Sequence, residues 1–352
     1  MSLPSSSDTG FPPKTRTNEG NPMSWSKRLS RGLAALCLTT AAFAAEASYS
    51  SVYFFGDSLS DTGNVYSATN GTYPPPPYYQ GRFSDGPVWT ERVAAGLGLP
   101  ADSTAWRQGG NNYAWGGALS GTNGHAGPGT GLLAQVFGQW APTTGGVADP
   151  NALYVIGIGS NDLLDAVRTN SGSTVADVAF RQSVADTVLN NLSTSLGYLI
   201  STGARNFLIA NVTDLGLTPE MNLGGKGGAA TEVSQYYDAL LDTALDNLRQ
   251  IFAVNVAEVD LFSMLEDVVA DTNSGGQRFG LSNALYPCFA SGAPACGDSV
   301  FADEIHPTQI VQVRAGVLAL SALGIPEPGT VALLGVGLVL LMATRYRGRC
   351  AI

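Results

Sequence analysis

Four short apolar runs constrain the fold of this chain more than any other feature. They lie at residues 51–55, 152–158, 206–210 and 254–259 and are rich in Val, Ile, Leu, Phe and Tyr. Stretches with the periodicity of helices separate them. Continuous apolar strands bury both faces, and strands that alternate with helices form parallel sheets. The sequence therefore predicts an α/β fold, a three-layer αβα sandwich around a central parallel sheet of about five strands.

Helices are predicted between these strands at 87–97, 132–140, 174–201, 230–252 and 261–269, and a last one from Pro307 to about 322. Two segments predict long loops. Residues 73–86 carry a proline run, which indicates a rigid loop near the mouth of a site or, alternatively, a polyproline ligand. Residues 111–131 are rich in Gly, Asn and Ser. No linker or repeat divides 48–325, so we expect one domain there.

Both ends of the chain differ from this domain. Residues 1–47 form a polar extension followed from Met23 by basic residues, an apolar run and an Ala-Glu-Ala exit at 45–47, which is typical of a signal peptide that starts at Met23. Residues 326–352 hold Pro-Glu-Pro, an uncharged apolar run at 331–343 and three arginines. That run is short for a membrane span, but it predicts an anchor helix whose basic end stays cytoplasmic.

The charge of the domain excludes one large class of partner. Residues 48–325 contain 10 Lys and Arg against 24 Asp and Glu, a net charge of −14. Such a surface repels nucleic acid and anionic membranes.

Cys288 and Cys296 flank a Pro- and Gly-containing loop with no histidine or second cysteine pair nearby. This pattern favours a local disulfide, and hence an oxidising compartment, over two free thiols.

Two copies of Gly-Asp-Ser offer a nucleophilic serine. Ser58 follows the first apolar run, and in an open α/β sheet the chemistry lies beyond the carboxyl ends of the strands. Ser299 follows no strand and lies in the cysteine loop. The sequence therefore favours Ser58, although Gly-Asp-Ser is also ordinary turn chemistry.

A serine nucleophile needs a base, and the chain has only two histidines. His125 lies in a Gly-rich loop without a nearby carboxylate in the sequence, which indicates a solvated histidine. His306 follows Asp303 by three residues, a spacing at which the carboxylate can hold the imidazole tautomer. The alternative is a helix-capping aspartate beside a structural histidine.

Acyl transfer also needs hydrogen-bond donors for the oxyanion. The glycine pair at 116–117 lets backbone N–H groups approach a substrate closely. Asn161, just beyond the second apolar run, offers a side-chain amide. Either segment alone could be a simple tight turn.

Taken in order, GDSLS at 56–60, NYAWGGA at 112–118, GSND at 159–162 and DEIHPT at 303–308 resemble the four sequence blocks of the GDSL/SGNH hydrolases. QGRFSDGPVW at 80–89 resembles their lipase and choline-esterase-like branch. The resemblance implies a cofactor-free and metal-free ester hydrolase. It assigns the nucleophile to Ser58, the general base and acid to His306, the orienting carboxylate to Asp303, and the oxyanion hole to the N–H groups of Ser58 and Gly117 with the Asn161 side chain.

The C-terminal segment 326–352 resembles the PEP-CTERM sorting signal of Gram-negative bacteria. That resemblance implies processing by an exosortase and delivery to the cell surface or medium, with contact to the membrane only through the tail.

These observations predict an exported serine hydrolase of acyl or lipid esters that works through an acyl-enzyme. Two alternatives remain open at this point. One is a deacetylase of an extracellular polysaccharide, because the same chemistry removes acetyl esters from sugars. The other is a non-catalytic surface or matrix protein that keeps the fold as a scaffold.

Overall fold

The computed structural model describes residues 49–291 and 296–325. The predicted signal peptide and the predicted sorting signal lie outside these residues. Within them, a parallel sheet is formed by β1 (Val52–Gly56), β2 (Leu153–Gly157), β3 (Asn206–Ala210) and β4 (Asn255–Val259), in the order β1-β2-β3-β4. Every predicted apolar run is thus a strand of one sheet, which confirms the α/β prediction.

The free edge of β1 is covered by an irregular extended segment. Tyr113 donates its backbone N–H to the carbonyl of Phe54 (2.7 Å), and Trp115 donates to the carbonyl of Gly56 (3.1 Å). The described residues therefore hold four regular strands in this sheet rather than five. The fifth position is taken by a segment that the sequence predicted as a loop.

Helices cover both faces of the sheet, as predicted. The described helices of five residues or more, apart from one segment with π geometry, are α1 (Asn64–Ala68), α2 (Trp89–Gly96), α3 (Ser160–Thr169), α4 (Val175–Thr202), α5 (Pro219–Leu223), α6 (Gly227–Ile251), α7 (Leu261–Asn273) and α8 (Gln309–Ala322). One core joins Phe55 and Ile156 to α4 and α6, and another joins Phe54 and Val155 to α2 and α8. Neighbouring residues of one strand thus enter opposite cores, which is why these strands are apolar throughout.

The helical prediction needs three corrections. Helices α1, α3 and α5 are not among the predicted helices. The segment predicted at 132–140 is helical but passes through π-helical geometry at Gln135–Trp140. Pro307 lies outside α8, because Thr308 takes an extended conformation and is the N-cap residue of that helix.

Cys288 and Cys296 form a disulfide, with their Cα atoms 5.6 Å apart. The backbone of Cys288 donates to the carbonyl of Phe301 (3.0 Å), and Phe289 donates to Ala302 (2.9 Å), so the loop is attached to the segment that precedes Asp303. None of the helices in the described part of the chain has the length and apolarity needed to cross a membrane. The anchor helix predicted at 331–343 lies outside that part.

Candidate active site

The site begins where β1 ends, at Gly56. A Cβ atom at Gly56 would lie 2.3 Å from the carbonyl oxygen of Gly157 on β2, so the strands can approach here only with glycine. Gln135, in the π-helical segment, holds the same residue from the other side: its amide accepts the Gly56 N–H (2.9 Å) and donates to the Gly56 carbonyl (2.8 Å). These contacts fix the point at which the chain turns towards Ser58.

The structure brings Ser58 and His306 into contact across 248 positions of sequence. Nε2 of His306 lies 2.7 Å from Oγ of Ser58. The other ring nitrogen, Nδ1, lies 2.6 Å from Oδ2 of Asp303. All three side chains are buried, with at most 8% of each residue exposed. The arrangement has the hydroxyl–imidazole–carboxylate geometry that acyl transfer requires.

The Asp303 carboxylate is held from several directions. Its Oδ1 accepts the backbone N–H groups of Ile305 (2.8 Å) and His306 (2.6 Å). Its Oδ2 accepts the hydroxyl of Tyr78 (2.5 Å) beside the His306 ring. Burial by itself raises the pKa of this carboxyl, but His306 and the Tyr78 hydrogen bond outweigh it and lower the pKa to about 2. Asp303 is therefore a fixed negative charge.

Tyr78 is a site residue that the sequence did not reveal. It lies in the proline-containing loop, and its ring packs edge-on against Phe83 and Phe289. Phe83 in turn lies 5.3 Å from the His306 ring, measured between centroids. The loop is thus part of the wall of the site. Nothing local in the sequence pairs Tyr78 with a residue 225 positions away.

The predicted oxyanion donors converge on the same cleft. Gly117 has a φ of 73°, and within the described residues the N–H groups of Ser58 and Gly117 have no hydrogen-bond acceptor. The N–H of Gly116 donates to Asp61 (2.9 Å), which distinguishes the two glycines. The Asn161 amide donates to the carbonyl of Ala118 (3.0 Å) and lines the cleft with Ser58 and Gly117. Two unpartnered N–H groups and an amide beside a serine can bind an oxyanion.

Asp61 was also missed, and it joins the two turns of the site. This fully buried carboxylate accepts N–H groups from Gly63 (2.7 Å), Asn64 (2.6 Å) and Val65 (3.2 Å) as well as from Gly116. Burial raises its pKa, and these four hydrogen bonds oppose the rise. The carboxylate therefore ties the segment after Ser58 to the turn that presents Gly117.

The structure does not bring the rejected candidates to Ser58. His125 lies at the rim of the cleft, and its Nε2 is 2.7 Å from Asp165, a partner 40 positions away that the sequence did not suggest. Ser299 contacts Asn283 (3.1 Å) and Asp298 rather than a histidine. Among the described residues, no group of three or more His, Cys, Asp or Glu is placed to hold a metal ion.

Comparison with known proteins identifies a family. Residues 52–313 match the family model of the GDSL-like lipases/acylhydrolases. A phosphatidylcholine-sterol acyltransferase of Aeromonas hydrophila is 29% identical over 73% of this chain and 70% of its own. An esterase of Hevea brasiliensis is 28% identical over 76% of this chain and 80% of its own.

A solved structure of an extracellular lipase from Streptomyces rimosus aligns over 77% of this chain and all of its own, with 16% identity and a TM-score of 0.40. The family match covers well over half of the chain. The chain therefore belongs to the GDSL-like lipase/acylhydrolase family and is a carboxylic ester hydrolase.

Proposed function

We propose that this protein is an exported serine ester hydrolase that acts through a covalent acyl-enzyme, with Ser58 as its nucleophile. The observation that carries the proposal is the 2.7 Å contact between Oγ of Ser58 and Nε2 of His306. The carboxylate behind the ring supports it, because an acceptor at Nδ1 keeps the ring proton there and leaves Nε2 free to accept one.

In the first half of the reaction, Oγ of Ser58 attacks the ester carbonyl while His306 takes the hydroxyl proton. The carbonyl oxygen becomes an oxyanion, which the N–H groups of Ser58 and Gly117 and the Asn161 amide stabilise. The C–O bond to the alcohol then breaks. The alcohol leaves with the proton from His306, and the acyl group remains on Ser58.

In the second half, water takes the place of the alcohol. His306 accepts a proton from the water as its oxygen attacks the acyl carbon, and the same three donors hold the second oxyanion. When the bond to Ser58 breaks, Oγ recovers the proton and the carboxylic acid is released. Asp303 stays ionised throughout and stabilises the imidazolium that forms twice.

Matched serine variants test the assignment, because the chain contains a second Gly-Asp-Ser. Ser58→Ala should remove nearly all hydrolysis of p-nitrophenyl acetate, leaving only the small rate that the remaining oxyanion donors support. Ser299→Ala should retain wild-type turnover, since Ser299 has no histidine partner. Substantial activity in folded Ser58→Ala, or its loss in folded Ser299→Ala, would reject Ser58 as nucleophile.

Export is proposed from three features: the signal-peptide pattern of 1–47, the PEP-CTERM-like pattern of 326–352, and the Cys288–Cys296 disulfide. We infer an exosortase as the processing partner and the cell surface or medium of a Gram-negative bacterium as the destination. Expression of the whole chain in such a host should yield exported protein that begins near Ser48. Recovery of the intact chain from the cytoplasm alone would overturn this.

Acetylated sugars are a second candidate substrate class, favoured by the aromatic side chains of Tyr73, Phe83 and Trp115 along the cleft. Aromatic rings supply a flat apolar surface on which a sugar ring can pack. The same rings also suit an acyl chain, and the lipase and choline-esterase-like pattern of 80–89 favours acyl or lipid esters. Turnover of an acetylated glycan that exceeds turnover of ethyl butyrate would select acetylated sugars, and the reverse order would select acyl or lipid esters.

A further inference from the structure

Two cavities meet at the proposed nucleophile. Both are lined by Ser58, Asn161, Ile305 and His306. The inner cavity, about 40 Å³, runs from these residues towards α7 and α8. The outer cleft, about 380 Å³, runs past the glycine turn and the proline-containing loop. An ester bound at Ser58 can therefore place one substituent in each.

The two cavities differ in their walls. The far end of the inner cavity is formed by core residues: Phe301 and Val311 are 1% exposed, and Gln312 is 2% exposed. The outer cleft includes side chains that face solvent, among them Tyr73, which is 53% exposed, and His125. The far wall of the inner cavity is thus mostly buried core, whereas the wall of the outer cleft includes side chains in contact with water.

The order of events in the acyl-enzyme reaction decides which substituent goes where, and to this extent the inference rests on the proposed function. The alcohol must leave before water can attack, and water must then reach the acyl carbon from the position that the alcohol vacated. The outer cleft gives that path, because its wall includes the exposed side chains of Tyr73 and His125. The acyl chain, which stays attached to Ser58 between the two steps, can remain in the core.

The size of the inner cavity then limits the acyl chain. It measures about 40 Å³, against about 380 Å³ for the outer cleft, so it has much less room for a long chain. We propose that the inner cavity is the acyl pocket and that the enzyme is selective for short acyl groups such as acetyl and butyryl, carried on alcohols that the outer cleft accepts with little regard to size.

A series of p-nitrophenyl esters tests the chain-length limit. Because one methylene too many in an apolar pocket costs roughly tenfold or more in kcat/KM, we expect acetate and butyrate to exceed octanoate by at least about that factor. Val311→Ala removes two methyl groups from the wall of the inner cavity. It should raise the ratio of octanoate to butyrate turnover by roughly tenfold.

Val268→Ala is the matched control. Val268 is as buried as Val311 and belongs to the same apolar cluster, but it does not line the inner cavity. This variant should lose comparable stability and leave the octanoate-to-butyrate ratio unchanged. Wild-type enzyme that hydrolyses octanoate as fast as butyrate, or a ratio that moves equally in both variants, would overturn the acyl pocket.

A second series varies the alcohol and separates this inference from the proposed function. With the acyl group fixed as acetate, ethyl and octyl esters should be hydrolysed within about tenfold of each other. If turnover falls steeply with alcohol length and long acyl chains are tolerated, the alcohol occupies the inner cavity and the acyl group the outer cleft. Ser58 would still act as nucleophile in that case. Loss of nearly all activity in Ser58→Ala in either case shows that the proposed function stands independently of the pocket.

Discussion

The Asp303 carboxylate accepts four hydrogen bonds, from the His306 ring, the Tyr78 hydroxyl and two backbone N–H groups. Such a set fixes the orientation of the carboxylate, and its pKa of about 2 keeps it charged at neutral pH. Asp303 therefore fixes the orientation of the His306 ring through the hydrogen bond at Nδ1. Tyr78 belongs to this arrangement as a positioning residue.

Tyr78→Phe should lower kcat by roughly tenfold or more, because a hydrogen bond to a charged group contributes about 1.5–3 kcal/mol. The ring, with its contacts to Phe83 and Phe289, stays in place, so KM should change little, whereas the thermal midpoint should fall by a few degrees because Asp303 loses a hydrogen bond. Steady-state kinetics and a melting curve measure these quantities. Tyr79→Phe on the same loop is the control and should behave as wild type; equal kinetics in both variants would remove Tyr78 from the site.

Asn161→Ala should lower kcat by roughly a hundredfold or more, since one oxyanion donor contributes about 3–4 kcal/mol in the transition state. KM should change less than kcat, because the donor acts mainly on charge that develops during the reaction. Stopped or continuous assays with p-nitrophenyl butyrate report both constants. A change confined to KM would mean that Asn161 binds substrate without stabilising the oxyanion.

A catalytic residue could be predicted from the sequence where few other residues of the same type could fill its role. His306 was one of two histidines, and Asp303 was within one turn of it. Tyr78 and Asp61 could not be found in this way, because their roles depend on contacts made by distant parts of the chain. The resemblance chose Gly117 over Gly116 as donor, and the acceptance of the Gly116 N–H by Asp61 supports that choice.

At the scale of elements, the sequence predicted all four strands because each is buried on both faces. Helix α3 was missed for a physical reason. Its first turn contains Asn161 and Asp162, and the residue before it, Gly159, has a φ of 116°, so the start of the helix has the composition of a loop. Polar residues of the site occupy this turn, so the apolar spacing by which a helix is recognised in a sequence is interrupted there.

The disulfide loop should stabilise the segment that carries Asp303. Its backbone contacts to Phe301 and Ala302 and the packing of Phe289 on Tyr78 connect the loop to the site. Closing a loop of this length contributes about 2–3 kcal/mol in the chain-entropy description. Replacing Cys288 and Cys296 with alanine should lower the free energy of unfolding by about that amount, as measured by urea denaturation.

Reductant supplies the control for this prediction. Dithiothreitol should destabilise the wild-type protein by a similar amount and have no effect on the double alanine variant. Equal stability of the wild type with and without reductant, after free thiols have been shown to form, would mean that the disulfide does not contribute to stability.

At the scale of the whole molecule, the excess of acidic residues should make stability depend on pH. Burial raises the pKa of Asp57 and Asp162 to about 6, and burial together with neighbouring carboxylates raises that of Asp238 to about 8. A carboxyl whose pKa is higher in the folded than in the unfolded chain takes up a proton on folding, so stability increases as the pH falls through that interval.

The thermal midpoint should therefore rise as the pH is lowered from about 9 to about 5. Below pH 4 it should fall, because the depressed pKa of Asp303 contributes stability that is lost as the pH drops from about 4 towards 2. Calorimetry across this range measures both limbs.

Asp238→Asn should flatten the rise between about pH 8 and 6, whereas Asp246→Asn, at an exposed ion pair with Arg249, should leave it intact. A midpoint that falls steadily from pH 9 to 5 would contradict these pKa shifts.

The claim on which the whole account depends is that Ser58 is the residue that becomes acylated. Incubating folded protein with a fluorophosphonate, followed by proteolysis and mass spectrometry of the adduct, tests it most directly. We predict a single modification on Ser58, absent from His306→Ala and retained in Ser299→Ala. Modification of a different residue, or none on folded wild-type protein, would contradict the account.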